Sequence, residues 1–264
     1  MKKPIIAAAL GAAALTMSGA AGAQPRGETA RPTIVLAHGA FAESSSWNAV
    51  ITDLQARGYP VVAAAIPLRG VASDAAYLST IVRSIPGPVV LVGHSYGGEV
   101  ISVAGNGAAN VRALVYVAGY APDAGESAVS LSARFPEGTL GPALAPPVPT
   151  VDGARDLYIL PARFHAQFAA DLPAGEAAVM AATQRPVTEA ALAEPLAGPV
   201  AWRATPSWFI YGERDLNIPR TLHAFMARRA SARETVEVAG ASHVVMISHP
   251  AAVAAMIDRA ASAR

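Results

Sequence analysis

The sequence predicts an α/β fold: a mostly parallel sheet of about six strands flanked by helices, with a helical lid inserted after the fourth strand. Three observations carry that expectation. Short, continuously apolar runs alternate with helical patterns over residues 33–117, as strands buried on both faces do. The alternation resumes at Thr205. Between them, residues 121–204 are rich in alanine and proline and carry no strand-like run, a stretch too long for an ordinary loop. With 264 residues, 53% of them hydrophobic and 15% charged, the chain can bury one sizeable core.

Taken in order, Lys2 and Lys3, an uncharged apolar run from Ile5 to Met17 and the small-residue site Ala21-Gly22-Ala23 read as a secretory signal peptide cleaved after Ala23. The apolar run is shorter than the roughly 20 residues that span a bilayer, so no stable membrane anchor is expected. The remaining domain, residues 24–264, is expected to be periplasmic or secreted. Thr33–Ala37 is the first strand. Ser44–Gly58 follows as a helix, with serines able to cap it and Gly58 able to end it. Val61–Ile66 is the second strand, Asp74–Ser84 a helix and Val89–Val92 the third strand. A weaker helical pattern covers Glu99–Ala109, interrupted by Gly105 and Gly107, before a fourth strand at Ala113–Val117. Within the lid, short helices are expected over Phe164–Asp171, Glu176–Ala182 and Thr188–Leu196. Thr205–Gly212 is a strand, Leu222–Arg229 a helix, Thr235–Ala239 the last strand and Ala251–Ala263 the last helix.

Composition removes whole classes of chemistry. The formal charge is +1, and −1 once Lys2 and Lys3, the only lysines, are gone. A mature chain without lysine has no P-loop lysine, Schiff base or pyridoxal anchor, and no charge run suited to nucleic acid. No cysteine is present, which removes thiolate metal sites, iron–sulfur clusters and a cysteine nucleophile. Any nucleophile is therefore an oxygen or an imidazole.

The candidate chemistry sits at strand ends. Gly93-His94-Ser95-Tyr96-Gly97-Gly98 follows the third strand and opens a helix, the setting in which flanking glycines permit a strained turn that lifts a serine Oγ clear of the sheet. A serine needs an imidazole to take its proton and a carboxylate to orient the imidazole. Tyr211-Gly212-Glu213-Arg214-Asp215 and Ala239-Gly240-Ala241-Ser242-His243 supply Asp215 and His243 on consecutive strand-end loops. Asp123 and Glu213 are the rival acids. His38 and His94 are expected to shape turns, His223 to sit in a helix, His249 to start one, and His165 to lie on the lid surface. For an oxyanion the donors are the backbone N–H of Tyr96 and that of Ala40 in His38-Gly39-Ala40-Phe41, with Phe41 as the alternative. Phe41, Phe164, Phe168 and Trp202 are the candidate pocket residues, with Phe135, Tyr158 and Met180 as further lid contributors.

Leu36–Ala40, the Ser95 turn, the run ending at Asp215 and Gly240–Met246 together resemble the α/β-hydrolase superfamily, most closely its small-esterase branch with plant methyl-ester hydrolases and hydroxynitrile lyases. The resemblance covers nearly all of residues 24–264. It implies Ser95, Asp215 and His243 as a triad, Ala40 and Tyr96 as the oxyanion hole, and no cofactor. From the residues themselves, nothing marks a metal site, and the aromatic lid residues are expected to form a pocket for a small, apolar ester. Lyases of that branch carry a threonine after the first-strand histidine and a lysine near the site. Gly39 and the absence of mature lysine therefore disfavour cyanohydrin cleavage. The usual first antiparallel hairpin is expected to be reduced or absent. Acyl transfer, perhydrolysis, C–C bond cleavage by a lyase and a non-catalytic binding module on the same scaffold are the alternatives.

Overall fold

The computed structural model describes residues 31–263; the expected signal segment and its cleavage site after Ala23 lie outside them. The first half alternates as β1 (Thr33–Ala37), α1 (Asn48–Ala56), β2 (Val61–Ala64), α2 (Val71–Ser84), β3 (Val89–His94), α3 (Gly97–Ala104) and β4 (Val111–Val117). A one-turn 3-10 helix at Ser44–Trp47 leads into α1. The lid then runs through α4 (Ala128–Ser132), α5 (Leu140–Ala143), β5 (Val148–Pro149), β6 (Arg155–Leu157), α6 (Pro161–Phe168), α7 (Ala174–Thr183), β7 (Val187–Thr188) and α8 (Glu189–Ala193). The chain closes with β8 (Ser207–Gly212), α9 (Arg220–Arg229), β9 (Glu234–Val238), α10 (Val245–Ser248) and α11 (Pro250–Ser262).

Six strands form one sheet in the order β2-β1-β3-β4-β8-β9, and every neighbouring pair is parallel. Among the described residues no antiparallel strand joins this sheet. Central β3 is buried along its whole length, so its unbroken Val-Val-Leu-Val run packs helices on both faces. Edge strand β9 alternates half-buried and exposed positions, as a strand solvated on one side does. The chain winds from β1 to one edge and then crosses to β3 and the other edge. The crevice at the carboxyl ends of β1 and β3 is thus the topological switch point, where open α/β sheets hold ligands.

Local sequence explains where the helices begin and stop. In α2, Val71, Ala75, Leu78 and Val82 recur on one face and are buried, while Glu194 of the lid accepts hydrogen bonds from Val71 N at 2.7 Å and Ala72 N at 3.1 Å. α3 ends at Ala104 rather than Ala109 because Gly105 and Gly107, the latter at φ +70°, terminate it. Ser127 caps α4 in a reciprocal capping box with Ser130.

The lid departs from expectation in one respect. It is not purely helical: β5, β6 and β7 make a small antiparallel sheet. Strands of two or three residues are too short to show a hydrophobic period, and β7 is recruited across about 30 residues of chain. The lid is also docked onto the core. Thr188 N donates to Leu68 O at 3.1 Å, Phe41 N to Arg185 O at 2.9 Å, and Ser242 Oγ to Asp171 of the lid.

Candidate active site

Ser95 occupies the tight turn between β3 and α3 with φ +51°, a conformation L-residues adopt only when the surroundings enforce it. The enforcement is visible in the packing. A side chain at Gly97 would collide with the backbone oxygen of Ala37, and one at Gly39 would place its Cβ 2.5 Å from that of Ser95. The β1 loop therefore passes directly against the serine only because position 39 has no side chain. Ser95 O accepts the amides of Gly98 at 2.9 Å and Tyr120 at 3.1 Å, fixing the turn from both sides.

Asp215 leaves β8 and is buried. Its Oδ1 accepts the amides of Asn217 at 2.9 Å and Ile218 at 3.0 Å, so the Asp-Leu-Asn-Ile turn orients its own carboxylate. Its Oδ2 accepts Nδ1–H of His243 at 2.7 Å. Burial opposes the charge, but the adjoining His243 and the hydrogen bonds from His223 and His243 hold the Asp215 carboxyl far below the usual carboxylate range. Because Oδ2 is ionised and can only accept, His243 carries its proton on Nδ1 and presents the lone pair of Nε2. That Nε2 is buried and has no protein hydrogen-bond partner among the described residues. Its ring lies 4.8 Å from that of His94 and 5.1 Å from that of Phe168.

Ser95, Ala40, Tyr96 and His243 line one cavity of about 770 Å³. Tyr96 N stands at the start of α3, where the helix dipole favours negative charge. The two candidates on the β1 loop separate cleanly. Phe41 N–H is engaged by Arg185 O, whereas Ala40 N–H has no protein acceptor among the described residues. His38 holds this loop: its Nδ1–H donates to Gly39 O at 2.9 Å and its Nε2 accepts Ile66 N–H at 3.0 Å. Burial lowers its pKa to about 4, which keeps the ring neutral. His94, neutral for the same reason, donates Nε2–H to His243 O at 3.2 Å. The two motif histidines thus shape the walls of the site.

The rival residues lie elsewhere. Asp123 forms a two-pronged pair with Arg203 at the surface, and Glu213 accepts Gly240 N–H at 2.9 Å on an exposed turn. His165 is bonded to Leu172 O at 2.9 Å, and His249 sits at the start of α11 against Ser248. Of the candidate pocket residues, Phe41 and Phe168 line the cavity and contact each other edge to face. Phe164 does not: it is fully buried behind Phe168, ring centroids 5.0 Å apart. Trp202 does not either, since its Nε1–H is bonded to Pro122 O and Arg203 and Arg229 cover its ring. Met180 lines a separate hollow behind Phe41, and Phe135 packs on Phe225.

Sequence reasoning missed much of the lining. Tyr120 follows β4, Val129 and Leu140 sit on the very short helices α4 and α5, and Leu144 and Pro146 follow α5; segments this short carry no readable period. His223 on α9 also reaches Asp215, at 3.2 Å from Oδ2. No motif announces that contact; eight residues beyond Asp215, it follows from how α9 packs under β8. Among the described residues no cluster of three His, Asp or Glu side chains is placed to hold a metal ion.

A parallel sheet whose switch point presents a strained serine, a buried carboxylate–imidazole pair and free backbone donors defines a hydrolase scaffold. The chain belongs to the α/β hydrolase family, whose model matches residues 34–256. A search of curated protein sequences finds no match. Among solved structures it is similar to a polyneuridine aldehyde esterase (17% identity, 86% of this chain and 98% of that one, TM-score 0.73). It is likewise similar to a pyrethroid hydrolase from Sphingobium faniae (21%, 88% and 98%, TM-score 0.67) and a methylesterase from Arabidopsis (18%, 88% and 99%, TM-score 0.69). At these identities the likeness is one of fold.

Proposed function

We propose that the protein is a serine carboxylic-ester hydrolase acting through an acyl-Ser95 intermediate, with Asp215 and His243 as acid and base and the amides of Ala40 and Tyr96 as the oxyanion hole. The observation that carries this is the unpartnered Nε2 of His243, held in the accepting tautomer by buried Asp215 and lining the same cavity as Ser95. Nε2 takes the Ser95 proton as Oγ attacks the ester carbonyl, and the oxyanion forms against Ala40 and Tyr96. The imidazolium then protonates the departing alkoxide. Water, deprotonated by the same Nε2, attacks the acyl carbonyl; as the acyl–Oγ bond breaks, the imidazolium returns its proton to Ser95 Oγ and the carboxylic acid leaves.

The cavity supports an uncharged, apolar ester as substrate. Among the described residues Glu189 at the lid is its one carboxylate, and no arginine lines it. A substrate with an anionic group would meet no counter-charge there. The esterase names of several structural neighbours agree with this reading. We also place the protein in the periplasm or outside the cell, on the signal-like sequence before Ala23.

The test is covalent. A fluorophosphonate incubated with the protein should label Ser95 stoichiometrically, as read by mass spectrometry of the tryptic peptide, and abolish turnover of p-nitrophenyl butyrate. Absence of labelling on a folded protein would leave the scaffold as a binding module.

A further inference from the structure

We propose that His223 is a positioning residue of this site: a second imidazole that donates to Asp215 and thereby weakens the carboxylate's hold on the His243 proton. The inference rests on the serine-hydrolase reading for its consequence, but its geometry stands independently. His223 is fully buried on α9, with Nε2 3.2 Å from Asp215 Oδ2, the same oxygen that accepts His243 Nδ1–H.

An ionised oxygen cannot donate, so His223 must carry its proton on Nε2. Its Nδ1 is then a bare lone pair, and Nδ1 is indeed buried with no hydrogen-bond partner among the described residues. A protonated ring would leave a buried N–H without an acceptor at that position, which the surroundings penalise. Burial also lowers the affinity of the ring for a second proton despite the facing carboxylate. The ring lies parallel to Tyr211 of β8, centroids 4.6 Å apart and 11° between planes, which fixes its plane.

The groups facing this imidazole are Asp215 and Tyr211 on and after β8, His243 after β9, and Glu237 on β9. Around Asp215 and His243 stand Tyr120 after β4 and His94 on β3, and Arg220 and Arg228 of α9 act on Tyr211. None of these others bonds to Asp215. Its carboxylate therefore has four donors: two amides, His243 and His223. Removing His223 leaves Oδ2 with His243 alone. More charge on Oδ2 favours the imidazolium, so the acid limb of kcat/KM moves to higher pH. A residue that only filled space would lower stability and leave the limb in place.

The test uses His223→Leu and His223→Gln in the full chain, with p-nitrophenyl butyrate as probe and Ser95 fluorophosphonate labelling of each protein as control. His223→Leu should move the acid limb up by about half to one pH unit, the scale of losing one hydrogen bond to a carboxylate. His223→Gln, whose side-chain amide donates to Oδ2, should restore most of that shift. A limb unmoved in His223→Leu, or Gln behaving as Leu, overturns the proposal. Because the Leu variant tests folding as well, a measurement on the wild type runs beside it. Two-bond ¹H–¹⁵N spectra of histidine-labelled protein should show one ring as the Nε2–H tautomer from pH 5 to 9, absent from His223→Gln. A titrating ring or an Nδ1–H tautomer at that position also overturns it. Wild type that neither turns over ester nor labels at Ser95 would instead remove the hydrolase reading, while the spectra would still decide the tautomer.

Discussion

Replacing Asp215 by Asn is the most demanding test of the proposed chemistry, because the exchange is nearly isosteric and its consequence follows from hydrogen-bond polarity alone. In the native protein Oδ1 accepts the amides of Asn217 and Ile218, and Oδ2 accepts two imidazole N–H groups. An asparagine keeps its oxygen on the two backbone donors. Its amide nitrogen then faces Nδ1 of His243, where donor would meet donor. His243 relieves the clash by moving its proton to Nε2, the nitrogen that must accept from Ser95. The loss expected from a wrong tautomer is about 10⁴-fold in turnover, or about 5 kcal/mol of transition-state stabilisation. The assay is kcat/KM on p-nitrophenyl butyrate at pH 8, with far-ultraviolet circular dichroism to confirm the fold. Asp123→Asn serves as comparison, since Asp123 faces Arg203 at the surface. If Asp215→Asn keeps more than a few per cent of activity, or if Asp123→Asn costs more, the assignment of the acid fails.

Ser95→Ala removes one oxygen at a turn whose backbone bonds it does not touch, so it should leave the melting temperature within a few degrees of wild type and abolish turnover by about 10⁴ to 10⁶. The wild-type kcat/KM should fall at acid pH along a single-proton limb as the base is protonated, and EDTA should leave it unchanged; inactivation by EDTA reversed with a divalent metal would sink the serine mechanism. Stability should also fall as pH drops from 7 to 5. The folded His38, His94 and His223 rings bind protons more weakly than the unfolded chain, so below the ordinary histidine range the unfolded state gains protons that the folded state does not; His38, lowered to about 4, stays neutral across this whole window. A flat melting temperature over that window would contradict their burial as neutral rings. Glu99 acts in the opposite sense: burial pushes its carboxyl well above the usual range. Its folded form keeps a proton that the unfolded chain releases, so stability is lost as pH rises above the unfolded value; Glu99→Gln should melt higher than wild type at pH 8, with the gap closing toward pH 4.

The alternation of apolar runs and helices was enough to place all six strands of the main sheet, because strands buried on both faces must be apolar throughout. The Gly93–Gly98 motif and the two downstream loops were also legible. A strained turn demands glycines at fixed offsets, and strand-end loops of a parallel sheet converge on one edge whatever lies between them. Those rules are local or topological. Two-residue strands β5 and β7 were not legible, since their pairing depends on where the lid folds back and not on any period in their own residues. Sequence put Ala40 ahead of Phe41 as a donor, but the physical reason lies with Arg185, 144 residues away, whose carbonyl occupies the Phe41 amide. Phe164 and Phe168 look alike in sequence, four residues apart on one amphipathic helix, yet only the second reaches the cavity. His223 is the extreme case. As a histidine inside α9 it carries no motif, and its contact with Asp215 exists only because that helix packs beneath the strand end that delivers the acid. Backbone geometry and burial are written in residue type and spacing, whereas the partner of a buried polar atom is set by three-dimensional packing.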